Sequence, residues 1–138
     1  MKEEYALQIR NLTKRYPDFT LENINLCLPG GCVMGLIGEN GAGKSTTIKA
    51  ITGAVHPDGG EITVLGCDTQ TEQYTKRKEQ IGVVMDEACF PEILTPKQVN
   101  GIMKSVFSNW QEKVYYGYLE RFGLPQNKAF KEFSRGMK

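Results

Sequence analysis

Residues Gly38-Glu39-Asn40-Gly41-Ala42-Gly43-Lys44-Ser45-Thr46 carry the G-x-x-x-x-G-K-[ST] spacing of a loop that holds phosphate. Each residue type answers a separate need of a nucleoside triphosphate. Glycines leave out the Cβ that bars positive φ, so the backbone can wrap closely around phosphate oxygens. Successive N–H groups then face inward as an anion nest. Lys44 brings a cation within reach of the β- and γ-phosphates, and Ser45 brings a hydroxyl to the place of Mg²⁺. Thr46 and the residues after it begin a helix whose N-terminal end favours the same anion.

Such a loop works only between a strand and a helix, and the flanking residues fit both. Val33-Met34-Gly35-Leu36-Ile37 is a short apolar run that predicts a buried parallel strand. After the loop, Ile48, Ile51 and Ala54 recur at helical spacing up to a stop near Gly53. Upstream, Tyr5 to Arg10 alternates polar and apolar as a half-exposed strand. Residues 19 to 28 read as a second strand with Leu21, Ile24, Leu26 and Leu28 mostly on one face, closed by the turn Pro29-Gly30-Gly31. Downstream come a turn at 57–60, a strand Glu61–Leu65, a short polar helix over 71–79 and a second apolar run, Ile81-Gly82-Val83-Val84-Met85. Thr95 followed by Pro96 predicts a helix N-cap with proline at the first helical position. Helical pattern runs from there to about Phe122, with Ile102, Val106 and Trp110, then Val114, Tyr118 and Phe122, forming a stripe read as packed core. Asn109 marks a break in it, and Gly123-Leu124-Pro125 ends it.

Composition narrows the functional classes. The chain of 138 residues has 40% hydrophobic residues, enough for a core, and a formal net charge of +1. That balance does not mark a nucleic-acid binder. Lys76-Arg77-Lys78 is flanked by Glu72 and Glu79 and reads as a solvated helix face. No apolar run approaches the length of a membrane span, and Met1-Lys2-Glu3-Glu4 opens no signal peptide, so a cytoplasmic chain is expected. Cys27, Cys32, Cys67 and Cys89 lack C-x-x-C spacing and read as reduced, half-buried thiols. His56, the single histidine, precedes Pro57-Asp58-Gly59-Gly60 and belongs on a surface turn, outside any histidine-based catalysis.

These pieces together resemble the nucleotide-binding domain of ABC ATPases: an α/β P-loop NTPase core, an antiparallel β subdomain and the start of a helical subdomain. The resemblance puts an aromatic residue ahead of the second strand against adenine, and Lys14-Arg15-Tyr16 supplies Tyr16 there. Phe133-Ser134-Arg135-Gly136-Met137 is similar to the family signature L-S-G-G-Q, matching at Ser134 and Gly136 and departing at Phe133, Arg135 and Met137. In the family the signature grips the γ-phosphate of ATP held by the other subunit of a dimer. Val83-Val84-Met85-Asp86-Glu87 also reads as a Walker B strand, with Asp86 on Mg²⁺ and Glu87 polarising water. Its position before the helical region, and the following Cys89-Phe90-Pro91-Glu92-Ile93-Leu94-Thr95-Pro96, favour the Q-loop instead, where a carboxylate can still ligate Mg²⁺.

The resemblance implies ATP and Mg²⁺ as ligands, with Tyr16, Gly38, Glu39, Asn40, Gly41, Ala42, Gly43, Lys44, Ser45, Thr46, Ser134 and Gly136 around the nucleotide and Ser45 and Asp86 on the metal. Lys44 is the residue expected to act in catalysis. Residues 1–95 are expected to form the core with its antiparallel subdomain, and 96–138 the helical subdomain. Walker B and the switch histidine are expected beyond Lys138, so the chain reads as the N-terminal, truncated part of a cassette that binds ATP without turning it over. Asn109-Trp110 and the form of the signature look most like bacterial exporters of the antibiotic-resistance type. Implied partners are a transmembrane permease subunit and a second nucleotide-binding subunit, with no nucleic acid, at the inner face of the cell membrane. The alternatives are a soluble, non-transport ABC ATPase and a small P-loop kinase; the signature and Tyr16 speak against the kinase.

Overall fold

The computed structural model describes residues 5–84 and 90–138. The chain divides into two compact units, Met1–Ile81 and Gly82–Lys138.

In the first unit, β1 (Tyr5–Tyr16) and β2 (Phe19–Pro29) form a hairpin, followed by α1 (Lys44–Ile51), β3 (Gly59–Val64), β4 (Cys67–Asp68) and α2 (Glu72–Arg77). The sheet is antiparallel, in the order β2-β1-β3-β4. Strand β1 is longer than its alternating pattern, because a bulge interrupts the alternation. Register slips between Ile9 and Leu12, and Asn11 takes the left-handed φ of 52°. The extra residue lets Ile9 and Leu12, three apart, both face the core. Asn23, at φ 52°, breaks the phase of β2 between Leu21 and Ile24 in the same way. Asn25 joins the two bulges: its Oδ1 accepts from the Asn11 N–H at 2.9 Å and its Nδ2 donates to the Asn23 carbonyl at 3.0 Å. Gly60, at φ 86°, crosses here, where a Cβ would come within 2.4 Å of the Asn11 carbonyl oxygen.

The core of this unit joins Ile9, Leu12, Leu21, Ile62 and Val64 of the sheet to Ala50 of α1 and Tyr74 of α2. The polar segment at 71–79 is thus anchored by one aromatic. Tyr74 donates its hydroxyl to the Ile51 carbonyl, and burial pushes its pKa up, which keeps it a donor. The buried side of α1 is Thr47 and Ala50, while Ile48 lies exposed. Cys67 is buried and Cys27 and Cys32 are exposed, all three free thiols; Cys89 lies outside the described residues. His56 is exposed, as its turn sequence implied.

The two apolar runs expected as buried parallel strands differ from that expectation. Val33–Ile37 does not enter the sheet, and Val33 and Ile37 are 100% and 96% exposed. Residues 81–84 likewise carry no strand, and Val84 is fully exposed; Met85 lies outside the described residues. A parallel strand exists only where neighbours satisfy its backbone groups and cover its faces. The described sheet is wholly antiparallel and offers neither segment a place.

In the second unit, Thr95 caps α3 (Pro96–Val106) with a full capping box. Its hydroxyl accepts from the Gln98 N–H and the Gln98 side chain accepts from the Thr95 N–H. The break read at Asn109 separates α3 from α4 (Glu112–Arg121), and Gly123 at φ 64° follows α4. The helices meet through polar groups as much as apolar ones. Buried Asn100 accepts from Trp110 Nε1 at 2.8 Å and donates to Glu112 Oε1 at 2.8 Å. Lys104 pairs with Glu112 Oε2 at 3.0 Å, and the Tyr115 hydroxyl donates to the Pro96 carbonyl. The stripe read as packed core is mostly on the surface: Ile102, Val106, Val114, Tyr118 and Phe122 are exposed and Trp110 is half-buried, whereas Val99 and Leu119 are buried.

Lys104, and secondly Asn100, hold the Glu112 carboxyl below its ordinary 4.5. A lowered folded value means that this contribution is complete above 4.5 and is lost as pH falls through the folded value. Trp110, the single tryptophan, reports on the network. Its emission should hold constant above 4.5 and change only below it. Asn100→Ala should cost about 1–3 kcal/mol in a denaturant titration read by that emission, because it strips buried partners; an unaltered midpoint would remove the network from the stability of this unit.

Candidate functional site

The loop from Gly38 to Gly43 turns into α1 through two left-handed glycines, Gly41 at φ 89° and Gly43 at φ 94°. Gly43 occupies the N-cap position and has no side chain to cap with. The first N–H groups of α1 are therefore not taken up by a capping side chain, and no acidic residue stands in the first turn to compete with an anion. Lys44 folds back over the loop, and its Nζ donates to the carbonyls of Gly38 at 2.6 Å and Glu39 at 2.7 Å. A cation is thus held above a turn of glycine backbone at a helix N-terminus, the donor set that a polyphosphate requires. Ser45 is exposed and Thr46 half-buried in the first turn of α1. The donor set suits a magnesium nucleotide: main-chain N–H groups and an ammonium for phosphate, a free-standing hydroxyl for the metal.

Thr47 was not singled out in the sequence. It is buried, and its Oγ donates to the Gly43 carbonyl at 3.0 Å, beside the main-chain bond of 2.9 Å from its own N–H. That second bond secures the loop-to-helix joint. Thr47, two residues after the [ST] position Ser45, was visible in the sequence, but its inward orientation follows only from the packing of α1.

Tyr16 ends β1, 40% exposed, and stacks on Phe19 across the hairpin with ring centroids 6.4 Å apart. Phe19 in turn reaches the loop: a Cβ on Gly43 would lie 3.2 Å from Phe19 Cζ and 2.5 Å from Leu21 Cδ1. The structure therefore brings Tyr16 and the phosphate loop together through Phe19, another residue the sequence reading passed over. Its signal was the spacing, an aromatic three residues after Tyr16 across the turn Pro17-Asp18.

Ser134 and Gly136 lie in the second unit. Ser134 starts a helical turn: its Oγ accepts from the Met137 N–H at 3.3 Å and its carbonyl from the Lys138 N–H at 3.1 Å. Phe133, a departure from the leucine of the signature, is buried edge-on against Phe130, which stacks on Phe90. Backbone bonds from Phe130 to the Leu94 carbonyl and from Lys131 to the Glu92 carbonyl, with the Lys138–Glu92 ion pair at 2.7 Å, tie the signature to residues 90–95. Asp86, the other residue expected on the metal, lies outside the described residues. Among the described residues no group of three metal-ligating side chains converges, and no helix is long and apolar enough to cross a membrane. A shallow concavity beside α4 is lined by Glu112, Lys113, Tyr116, Glu120 and Gln126.

Residues 21–138 match the family model described as ABC transporter. The chain is similar to the phosphonates import ATP-binding protein PhnC of Wolinella succinogenes, 33% identical over 157 residues, covering 96% of this chain and 54% of that protein. It is also similar to the bacitracin transport ATP-binding protein BcrA of Enterococcus faecalis, 31% identical over 138 residues, covering 98% of this chain and 44% of that one. Among solved structures, an ATP-binding subunit of an ABC transporter superposes with a TM-score of 0.81 at 27% identity, covering 96% of this chain and 57% of that one. The chain spans about half the length of the curated relatives it matches.

The two left-handed glycines of the loop separate strain from contact. An alanine at 41 meets nothing within 4 Å, so Gly41→Ala should cost about 1–2 kcal/mol, the left-handed penalty alone. Gly43→Ala adds a collision with Leu21 and should lower the thermal midpoint distinctly further and abolish triphosphate binding. Equal midpoints for the two variants would refute the close approach of hairpin and loop.

Proposed function

The chain belongs to the ABC transporter family, and from that premise we propose that it is the nucleotide-binding part of an ABC transporter ATPase that couples ATP binding and hydrolysis to export. The observation that carries this reading is the Lys44 ammonium held over the Gly38 and Glu39 carbonyls at an uncapped helix N-terminus. In this reading the loop N–H groups and Lys44 take the β- and γ-phosphates, and Ser45 with Asp86 holds Mg²⁺, which when bound would neutralise phosphate charge. Tyr16 stacks on the base. Ser134, with the turn that it caps, and Gly136 face the nucleotide of a second nucleotide-binding subunit. Glu87 belongs to the Q-loop and is not the general base. Functionally, residues 1–95 make the nucleotide core and 96–138 the subdomain that carries the signature.

The transmembrane permease subunit would dock against the segment between Asp86 and Trp110, which keeps the protein peripheral on the cytoplasmic face of the membrane. Support comes from Ile93, 76% exposed within that segment, where a solvated loop would favour a polar residue. The relatives named for transport include an importer, so export rests on the look of the signature and of Asn109-Trp110.

Lys44→Ala should weaken MgATP binding at least about tenfold by calorimetry, since each charge-assisted hydrogen bond to phosphate is worth roughly 1.5–3 kcal/mol. Equal affinity in mutant and parent would refute the loop assignment. Cysteines placed singly at positions 90 to 94 should crosslink to a co-expressed permease; failure at every position would count against transport coupling.

A further inference from the structure

Asp58, in the turn that leads into β3, makes three hydrogen bonds to the end of β1. Its N–H donates to the Thr13 carbonyl at 2.8 Å, its Oδ2 accepts from the Arg15 N–H at 2.7 Å, and its Oδ1 pairs with Lys14 Nζ at 2.9 Å. The place of these bonds is informative. Pairing of β3 with β1 ends at Thr13 opposite Gly59, so Lys14, Arg15 and Tyr16 run past the end of β3 with only β2 as a strand neighbour. The Asp58 carboxylate stands where the next strand residue would have been and takes up the Arg15 N–H. The ammonium that it holds also lies over the Tyr16 ring, 5.8 Å from the centroid.

From this geometry we infer that Asp58 is a positioning residue for the base-binding aromatic: it fixes the backbone beside Tyr16 and the cation over its ring, and so sets affinity for the nucleoside part of the ligand. The inference rests on reading Tyr16 as the residue that stacks on the base. It assigns no contact between Asp58 and the ligand. The Arg15 N–H bond and then Lys14 hold the carboxyl below its ordinary 3.8, so the clamp is charged at neutral pH. Phe19 stacks on Tyr16 from the hairpin side, and Asp58 holds the neighbouring Lys14 and Arg15 from the β3 side.

The test separates base from phosphate. MgATP and magnesium tripolyphosphate, which has no base, are titrated calorimetrically into the full chain and its variants. Asp58→Ala should weaken MgATP about tenfold, within the range of a lost base–aromatic stack, and leave tripolyphosphate affinity unchanged. Retained tripolyphosphate binding also shows that the loop is folded. Asp58→Asn keeps an acceptor for Arg15 but loses the ion pair, and should fall between parent and alanine. Tyr16→Ala should show the same selective loss, and the double variant no more than either single one. If Tyr16→Ala is selective and Asp58→Ala is neutral, or weakens both ligands equally, Asp58 is structural and the inference fails alone. If Tyr16→Ala leaves both ligands unaffected, the stacking reading fails and takes the inference with it.

Discussion

The absence of one side chain, at Gly43, is the constraint on which the first unit turns. A Cβ there would fall 2.5 Å from Leu21 Cδ1, well inside van der Waals contact, and the backbone stands at φ 94°. Both facts leave glycine alone able to fill the site. Because the position is bare, the hairpin of β1 and β2 can close against the start of α1. That contact brings the Tyr16–Phe19 stack to the mouth of the phosphate loop. Lys44 and Thr47 then fasten the loop on its other side, one to the carbonyls of Gly38 and Glu39 and the other to that of Gly43. The hairpin, the loop and the start of α1 therefore meet at a single residue.

The sheet behind the hairpin is shaped by its irregularities. Bulges at Asn11 and Asn23 change the phase of β1 and β2 in step, and Asn25 bridges them. A regular strand would send Leu12 to the opposite face from Ile9. With the bulges, both reach the core that also receives Ala50 and Tyr74. The same bulge lets the turn before β3 come close, with Gly60 crossing the Asn11 carbonyl and Asp58 reaching Arg15. Alignment of the aromatic edge thus descends from a local defect in the ladder.

The second unit is held differently. Asn100, Trp110, Glu112 and Lys104 bind the helices across the break, while the apolar side chains buried among the described residues of this unit are Pro96, Val99, Leu119 and Phe133. A satisfied polar network fixes one geometry more sharply than a small apolar contact does. Meanwhile, Phe90, Phe130 and Phe133 form a row of aromatic contacts that runs from the start of the described segment to the signature. Backbone bonds from Phe130 to the Leu94 carbonyl and from Lys131 to the Glu92 carbonyl run beside that row.

What the sequence by itself determined was local. The loop spacing, the lysine and hydroxyl after it, the capping box at Thr95 and the break at Asn109 depend on neighbours along the chain, and all were legible. Family membership followed from the order of such pieces. Orientation was not legible, because it depends on what lies across the fold. The alternation of β1 fails at Arg10 in the sequence, and only pairing with β2 and β3 shows that the strand continues through a bulge to Tyr16. Helical spacing grouped Ile102, Val106, Trp110, Val114, Tyr118 and Phe122 as packed core, but periodicity cannot say whether a side faces a core or solvent, and here all but half-buried Trp110 are exposed. Val33–Ile37 and 81–84 have the composition of buried strands, yet a strand is completed by its neighbours, and the described sheet gives them none. Phe19, Thr47 and Asp58 gained their roles from contacts with residues 43, 43 and 15, made by folding rather than by spacing. Residue type set what chemistry was possible, and tertiary packing decided which atoms came close enough to share in it.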